Sequence, residues 1–243
     1  MIYEPSIECS SPQALEQLQG MRLRQMVDEN FATIPFYRTR LRAANRNKGT
    51  DGMSNKELLY LLERVPVMGK DEYRFVDREI IPRIDKKMFF IDSTSGSTGT
   101  PKSRFCTALD DIHDTSLCTR AFASFGISSS DRVLTFDLAD LTYYTQFTKA
   151  MQDLGVINSF FYSARSDFVT SMREAFRCRP TVIIAMPSIL KRCLDSFLKE
   201  IAASPGLRTV VYFGEPLEED IRRFFKERFG IACYSLYGST DVG

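Results

Sequence analysis

From residue 132 to residue 236 the chain alternates between candidate strands and candidate helices with short joints between them. The order is strand 132–137, helix 141–153, strand 156–161, helix 167–177, strand 181–185, helix 187–203, strand 208–213, helix 217–228 and strand 231–236. Regular alternation of this kind predicts a largely parallel sheet covered by helices, because each helix carries the chain back to the start of the next strand. In such sheets ligands bind beyond the carboxyl ends of the strands. Phe213-Gly214-Glu215-Pro216 and Tyr237-Gly238-Ser239-Thr240-Asp241 each follow a predicted strand directly, so the sheet is expected to bring them to one edge.

The N-terminal part reads differently. Residues 12–46 carry Leu15, Leu18, Leu23, Met26 and Val27 near helical spacing, broken at Pro35, and residues 54–64 form a second short helix with Leu58, Leu59, Leu61 and Leu62. The expected fold is therefore α/β, with a helical lead-in over 1–85 and an α/β ligand-binding part over 86–243.

Chemistry concentrates in Ser93-Thr94-Ser95-Gly96-Ser97-Thr98-Gly99-Thr100-Pro101-Lys102. The stretch has no apolar side chain to bury. Its glycines let backbone approach a ligand, and its hydroxyls, free amides and Lys102 supply donors and a charge, which suits a polyphosphate. A solvated Ser/Thr/Gly linker has the same composition. The apolar Met88-Phe89-Phe90-Ile91 before it and the short strand Ser103-Arg104-Phe105-Cys106-Thr107 after it favour a loop anchored at both ends. Gly96, Lys102 and Ser103 match three positions of a Walker A loop, but Pro101 replaces its second glycine. Proline has no amide hydrogen and a fixed φ, so that anion nest cannot form.

Ser93 to Lys102 resembles the phosphate-binding signature of the adenylate-forming enzymes, the acyl-CoA synthetases and their relatives. Ile34-Pro35-Phe36-Tyr37-Arg38, Phe213-Gly214-Glu215-Pro216-Leu217 and Tyr234-Ser235-Leu236-Tyr237-Gly238-Ser239-Thr240-Asp241-Val242-Gly243 are similar to further segments of the phenylacetate-CoA ligase branch. The resemblance implies the large N-terminal domain of such an enzyme, in incomplete form. It implies ATP-dependent activation of a small carboxylic acid to an acyl-adenylate, followed by transfer to coenzyme A. An acyl-protein synthetase, which passes the acyl group to a protein thiol, and a non-catalytic nucleotide-binding remnant are the alternatives.

In that chemistry a carboxylate attacks the α-phosphate of ATP, so negative charge approaches negative charge and catalysis rests on donors, a divalent cation and placement. The resemblance assigns ATP phosphates to Ser95, Gly96, Ser97, Thr98, Gly99 and Lys102, and the adenine side to Gly214, Glu215 and Pro216, with Tyr237, Gly238 and Ser239 beside the nucleotide. Tyr237 as an ordinary core aromatic is the competing reading. Thr240 falls near the α-phosphate and Asp241 at magnesium, where the family carries Glu; with Lys102 they form the expected catalytic set. The acid pocket is expected near Phe136, Tyr143 and Tyr144, after the first strand of the alternating series. Relatives continue beyond the segment matching Gly243 with a hinge and a mobile domain carrying a lysine, so a fragment of a longer enzyme, or a chain completed by a second polypeptide, is expected.

Charge and composition remove other classes. A formal net charge of +1 points to neither nucleic acid nor an anionic membrane. No apolar run approaches the roughly 20 residues of a membrane span, and Met1-Ile2-Tyr3-Glu4-Pro5 is unlike a signal peptide, so a cytoplasmic location is expected. The six cysteines form no C-x-x-C pair and are read as free thiols. His113, the one histidine, sits in Asp110-Asp111-Ile112-His113-Asp114, which reads as an acidic helix start capped by Thr107 rather than a metal site.

Overall fold

The computed structural model describes residues 4–31, 33–45, 50–69, 72, 76, 79–81, 83, 87–93, 103–136, 141–162, 167–204 and 206–238. The chain divides into two compact units, Glu4–Ala108 and Leu109–Gly243.

In the first unit, α1 (Pro5–Glu8) leads into α2 (Pro12–Met26), whose start is capped by the Ser11 hydroxyl accepting from the Ala14 amide, with Pro12 at the first helical position. A π-helical turn, Val27–Phe31, closes α2. Pro35 then opens α3 (Pro35–Ala44), so the proline that breaks the pattern also starts the next helix. Ser54 and Glu57 form a reciprocal capping box at the head of α4 (Asn55–Glu63). Val27, Leu41, Leu58 and Leu61 make the core of this helical part, with Leu23 and Leu62 packed on it. The unit ends in an antiparallel hairpin, β1 (Met88–Ser93) with β2 (Ser103–Thr107).

The second unit follows the alternation expected from the sequence. It contains α5 (Ala108–Ser124), β3 (Arg132–Phe136), α6 (Leu141–Asp153), β4 (Asn158–Tyr162), α7 (Phe168–Arg177), β5 (Val182–Ala185), α8 (Pro187–Ala202), β6 (Thr209–Phe213), α9 (Glu219–Phe229) and β7 (Ala232–Leu236). The strands form a five-stranded sheet in the order β4-β3-β5-β6-β7, parallel at every pairing.

Alternate residues of the strands face opposite layers, as the pleat requires. Leu134, Phe136, Ile183, Ala185 and Val210 pack against α7, α8 and α9. Val133, Val182, Ile184, Val211 and Phe213 pack with Phe122 of α5 and with Phe147, Ala150 and Met151 of α6. The chain leaves β3 toward β4 on one side and leaves β5 toward β6 on the other, so the direction of winding reverses between β3 and β5. That reversal opens a crevice at the carboxyl ends of these two neighbours.

α5 begins at Ala108 with Asp110 and Asp111 in its first turn. Asp111 and Asp114 are both buried and turn toward α6: Lys149 forms an ion pair with Asp111, and Gln146 Nε2 donates to Asp114 Oδ2 at 3.2 Å. His113 is exposed. Among the described residues no helix is long and apolar enough to cross a membrane.

Candidate functional site

All five strands point the same way, so their carboxyl ends form one edge, and the register decides which loops meet there. Phe213 is the register partner of Leu236, which sets Gly214-Glu215-Pro216 beside Tyr237-Gly238. Ala185 partners both Phe136 on β3 and Tyr212 on β6. The convergence expected from the strand positions is therefore present for the described part of both segments. Ser239, Thr240 and Asp241 lie outside the described residues.

Gly214 takes a φ of +78°, the left-handed region that turns the chain sharply off the end of β6. A side chain there would meet nothing within 4 Å, so the glycine serves the turn and not a close contact. Glu215 and Pro216 are exposed. The Glu215 carboxylate accepts from the Ser188 amide at 3.1 Å through Oε2 and from the Ser188 hydroxyl at 3.4 Å through Oε1. Ser188 follows Pro187 at the first helical position of α8, so its amide is one of the donors that a helix start leaves without an intrahelical partner. Lys191, one turn on, reaches Glu218 at 3.5 Å. The connection from β6 to α9 is thus held against the head of α8 at two points.

Tyr237 is 88% exposed, so its ring belongs to the surface of this edge and not to the core. Phe136 is the opposite case. It stands at the carboxyl end of β3 yet is 0% exposed, its ring packed edge-on against Phe168 at 5.7 Å. Phe168 also meets Phe197, and the Arg192 guanidinium lies 3.7 Å above the Phe168 ring centre. Among the expected acid-pocket residues, Phe136 is therefore committed to packing. Tyr144 is half-exposed on α6 and lines a groove of about 500 Å³ with Thr148, Met151 and Gln152. Tyr143 falls in α6, and its side chain lies outside the described residues.

The loop segment Ser95, Gly96, Ser97, Thr98, Gly99 and Lys102 also lies outside the described residues. Its anchors do not: Ser93, the last residue of β1, and Ser103, the first of β2, are register partners.

The described cysteines nearest the sheet are inert thiols. Burial pushes Cys193 up to about 12, and pushes Cys118, with Asp114 adding to it, up to about 11. Cys233 on β7 is raised to about 11, again by burial. None of these serves as a thiolate nucleophile near neutral pH.

Sequence reasoning did not find Ser188. The Pro187 helix start was a visible signal that its amide would need an acceptor, but the acceptor stands 27 residues away in sequence.

A parallel sheet with helices on both faces and a reversal of winding between β3 and β5 is a doubly wound α/β fold, and the chain belongs to the AMP-binding enzyme family, whose model matches residues 18–243. Among curated relatives it is similar to the phenylacetate-coenzyme A ligase of Thermus thermophilus, 26% identical over all of this chain and 54% of that protein. The phenylacetate-coenzyme A ligase of Escherichia coli is 24% identical over 97% of this chain and 54% of its own length. The chain thus spans about half the length of the curated relatives it matches. Among solved structures, 2-hydroxyisobutyryl-CoA ligase in complex with 2-HIB-AMP and CoA superposes with a TM-score of 0.76 at 18% identity, over 95% of this chain and 55% of that one. That likeness is one of fold.

Proposed function

We propose that this chain is the nucleotide-binding part of an adenylate-forming acid–CoA ligase of the phenylacetate-CoA ligase kind. It binds ATP, activates a small carboxylic acid as the acyl-adenylate, and hands the acyl group to coenzyme A once the remainder of the enzyme, in the same or a second polypeptide, is present. The observation that carries this reading is the register of β6 against β7, which sets the Gly214–Pro216 turn beside Tyr237 and Gly238 at the carboxyl edge. Membership of the AMP-binding family supports it.

In this reading the exposed Tyr237 ring and the Gly214–Pro216 backbone flank the adenine, and Gly238 and Ser239 lead to the phosphates. The hydroxyls and amides of 95–99 and Lys102 hold the β- and γ-phosphates, Thr240 donates near the α-phosphate, and Asp241 holds magnesium, an oxygen ligand suited to a hard cation. These groups neutralise the charge that otherwise opposes attack by the acid. The hairpin flanking the loop counts with the ligand-binding part, so that part starts near residue 86. Tyr143 and Tyr144 on α6 are the side chains available to the acid, with Phe136 supporting from the core. The protein acts in the cytoplasm.

Calorimetric titration with ATP and magnesium tests the reading. Saturable binding is expected, weakened at least about tenfold by Lys102→Ala, the value of one charge-assisted hydrogen bond. In Asp241→Asn the dependence on magnesium should vanish while the fold persists. Equal affinity in the lysine variant removes the loop from the site. No binding by the unaltered chain leaves a family member that has lost its nucleotide.

A further inference from the structure

Glu215 stands in the segment assigned to adenine, yet its carboxylate is occupied elsewhere. Both oxygens accept from Ser188, one from the amide and one from the hydroxyl, at 3.1 and 3.4 Å. An ionised carboxylate at a helix head is favoured twice, by the orphan amide and by the positive end of the helix dipole. The geometry points to Glu215 as a positioning residue: it latches the Gly214–Pro216 turn onto the start of α8 and so sets where the backbone beside Tyr237 stands, without touching the ligand itself. This rests on the nucleotide-binding reading above.

Three observations make the latch necessary. Gly214 departs β6 with a positive φ and nothing within 4 Å of where its side chain would lie, so that residue adds no packing, and the packed side chains are Phe213 before the turn and Leu217 after it. Glu215 and Pro216 are exposed, so burial does not hold them either. The neighbouring restraint, Lys191 to Glu218, joins two exposed, flexible side chains, which gives it little strength, whereas Glu215 accepts from a backbone amide at 3.1 Å. The first half of α8, by contrast, is anchored: Ile189, Leu190 and Cys193 are all in the core. The carboxylate of Glu215 links the exposed part of the turn to the head of that helix. Its residue type then has a reason that needs no contact with adenine, since it reaches α8 from the turn and brings the charge a helix start prefers.

The test uses the whole chain, with AMP as the titrant and amide hydrogen exchange of the free protein as a second readout. Glu215→Ala removes the latch. Ser188→Asp breaks it from the other side, because a second carboxylate repels Glu215, and an acidic residue at a helix start keeps α8 stable. Glu215→Gln keeps one oxygen to accept from the Ser188 amide. Exchange of the Gly214, Glu215 and Leu217 amides is expected to quicken at least tenfold in Glu215→Ala and Ser188→Asp, with AMP affinity about tenfold lower in both. Glu215→Gln should fall no more than about threefold in affinity, and the double variant Glu215→Ala with Ser188→Asp should be no weaker than either single. Lower affinity in Glu215→Ala with normal affinity in Ser188→Asp would mean that the carboxylate meets the ligand directly, and would overturn the proposal. Faster exchange with unchanged affinity in both would overturn it too, because the turn's position would then not matter to binding. If the unaltered protein binds no AMP, the nucleotide-binding reading fails first and the proposal with it, an outcome separable from the other two by the wild-type titration alone.

Discussion

The two ends of the parallel sheet are built from opposite materials. At the amino end Asp131, 2% exposed, accepts from the Ser128 amide at 2.9 Å, the Thr181 hydroxyl at 2.7 Å and Arg208 Nη2 at 2.7 Å. Arg208 also donates to the Gly126 carbonyl at 2.9 Å, and Arg132 Nε donates to the Arg179 carbonyl at 2.6 Å. The starts of β3, β5 and β6 are stitched together there by side chains. At the carboxyl end Gly214, Glu215, Pro216, Tyr237 and Gly238 are all exposed. One end spends its polar groups on the fold, and the other leaves backbone and an aromatic ring open. Under the proposed nucleotide-binding reading this is a division of labour, in which the amino edge holds the strands in register and the carboxyl edge presents its loops to the ligand.

The largest effect expected on that comparison comes from Phe136, which belongs to the open end by position and to the core by burial. Phe136→Ala removes a fully buried ring from contact with Phe168 and should cost about 3–5 kcal/mol, read from urea unfolding. Phe136→Leu should cost about 1–1.5 kcal/mol. A loss below about 1 kcal/mol for the alanine variant would mean that the ring faces a ligand space after all.

Next comes the amino end itself. Asp131→Ala leaves the Thr181 hydroxyl and the Ser128 amide without their acceptor, and should cost about 2–4 kcal/mol. Arg208→Ala should cost less, about 1 kcal/mol, because its side chain is 45% exposed and the remaining carboxylate keeps two other donors. AMP affinity should be unaltered in both, measured where the variants remain folded. A variant at this end that kept its stability but lost nucleotide would erase the division.

A third perturbation touches neither end. Cys193, in the core between sheet and α8, has its thiol raised by burial from an ordinary value of 9.0 up to about 12. The folded protein holds that proton more tightly than the unfolded chain does. Its contribution is complete below pH 9 and is lost as pH rises toward 12, with a limiting slope of about 1.4 kcal/mol per pH unit. Urea midpoints between pH 8 and pH 11 should therefore fall, and fall less steeply in Cys193→Ala. An unchanged slope in that variant would assign the alkaline loss to other groups.

Much of this architecture was legible because it is written in local pattern. Each strand and helix of the series from residue 132 onward lies within a few residues of its expected place, since apolar runs and Pro or Gly punctuation are properties of adjacent residues. Pro35 and Pro187 read correctly as helix boundaries for the same reason. What stayed hidden depends on residues distant in sequence. Asp131 follows Ser128-Ser129-Ser130 and reads as a plain turn; its value comes from Thr181 and Arg208, separated from it by 50 and 77 residues. Glu215 reads as part of a ligand segment until Ser188 is placed beside it. The family resemblance puts Phe136 at the acid pocket, and only the packing of α7 shows which face of its strand it occupies. Tyr237 reads either as a ring beside the base or as a core aromatic, and its 88% exposure excludes the core.

The smallest expected effect gives the sharpest reading of the carboxyl end. Gly214→Ala places a Cβ in open space, so no clash contributes, and the cost is that of holding a non-glycine residue at a φ of +78°. For alanine this is about 1 kcal/mol, small beside the loss expected at Asp131. The strain can be relieved in two ways. If the turn stays latched to α8, stability falls by about that amount and AMP affinity holds within about threefold, since a factor of ten corresponds to about 1.4 kcal/mol. If the turn relaxes instead, stability is nearly unchanged and AMP affinity drops, because the backbone beside Tyr237 has moved. Urea unfolding and calorimetry on the same variant separate the two. Combining it with Glu215→Ala should convert the first behaviour into the second, and a double variant that still lost stability without losing affinity would show that something other than α8 holds this edge.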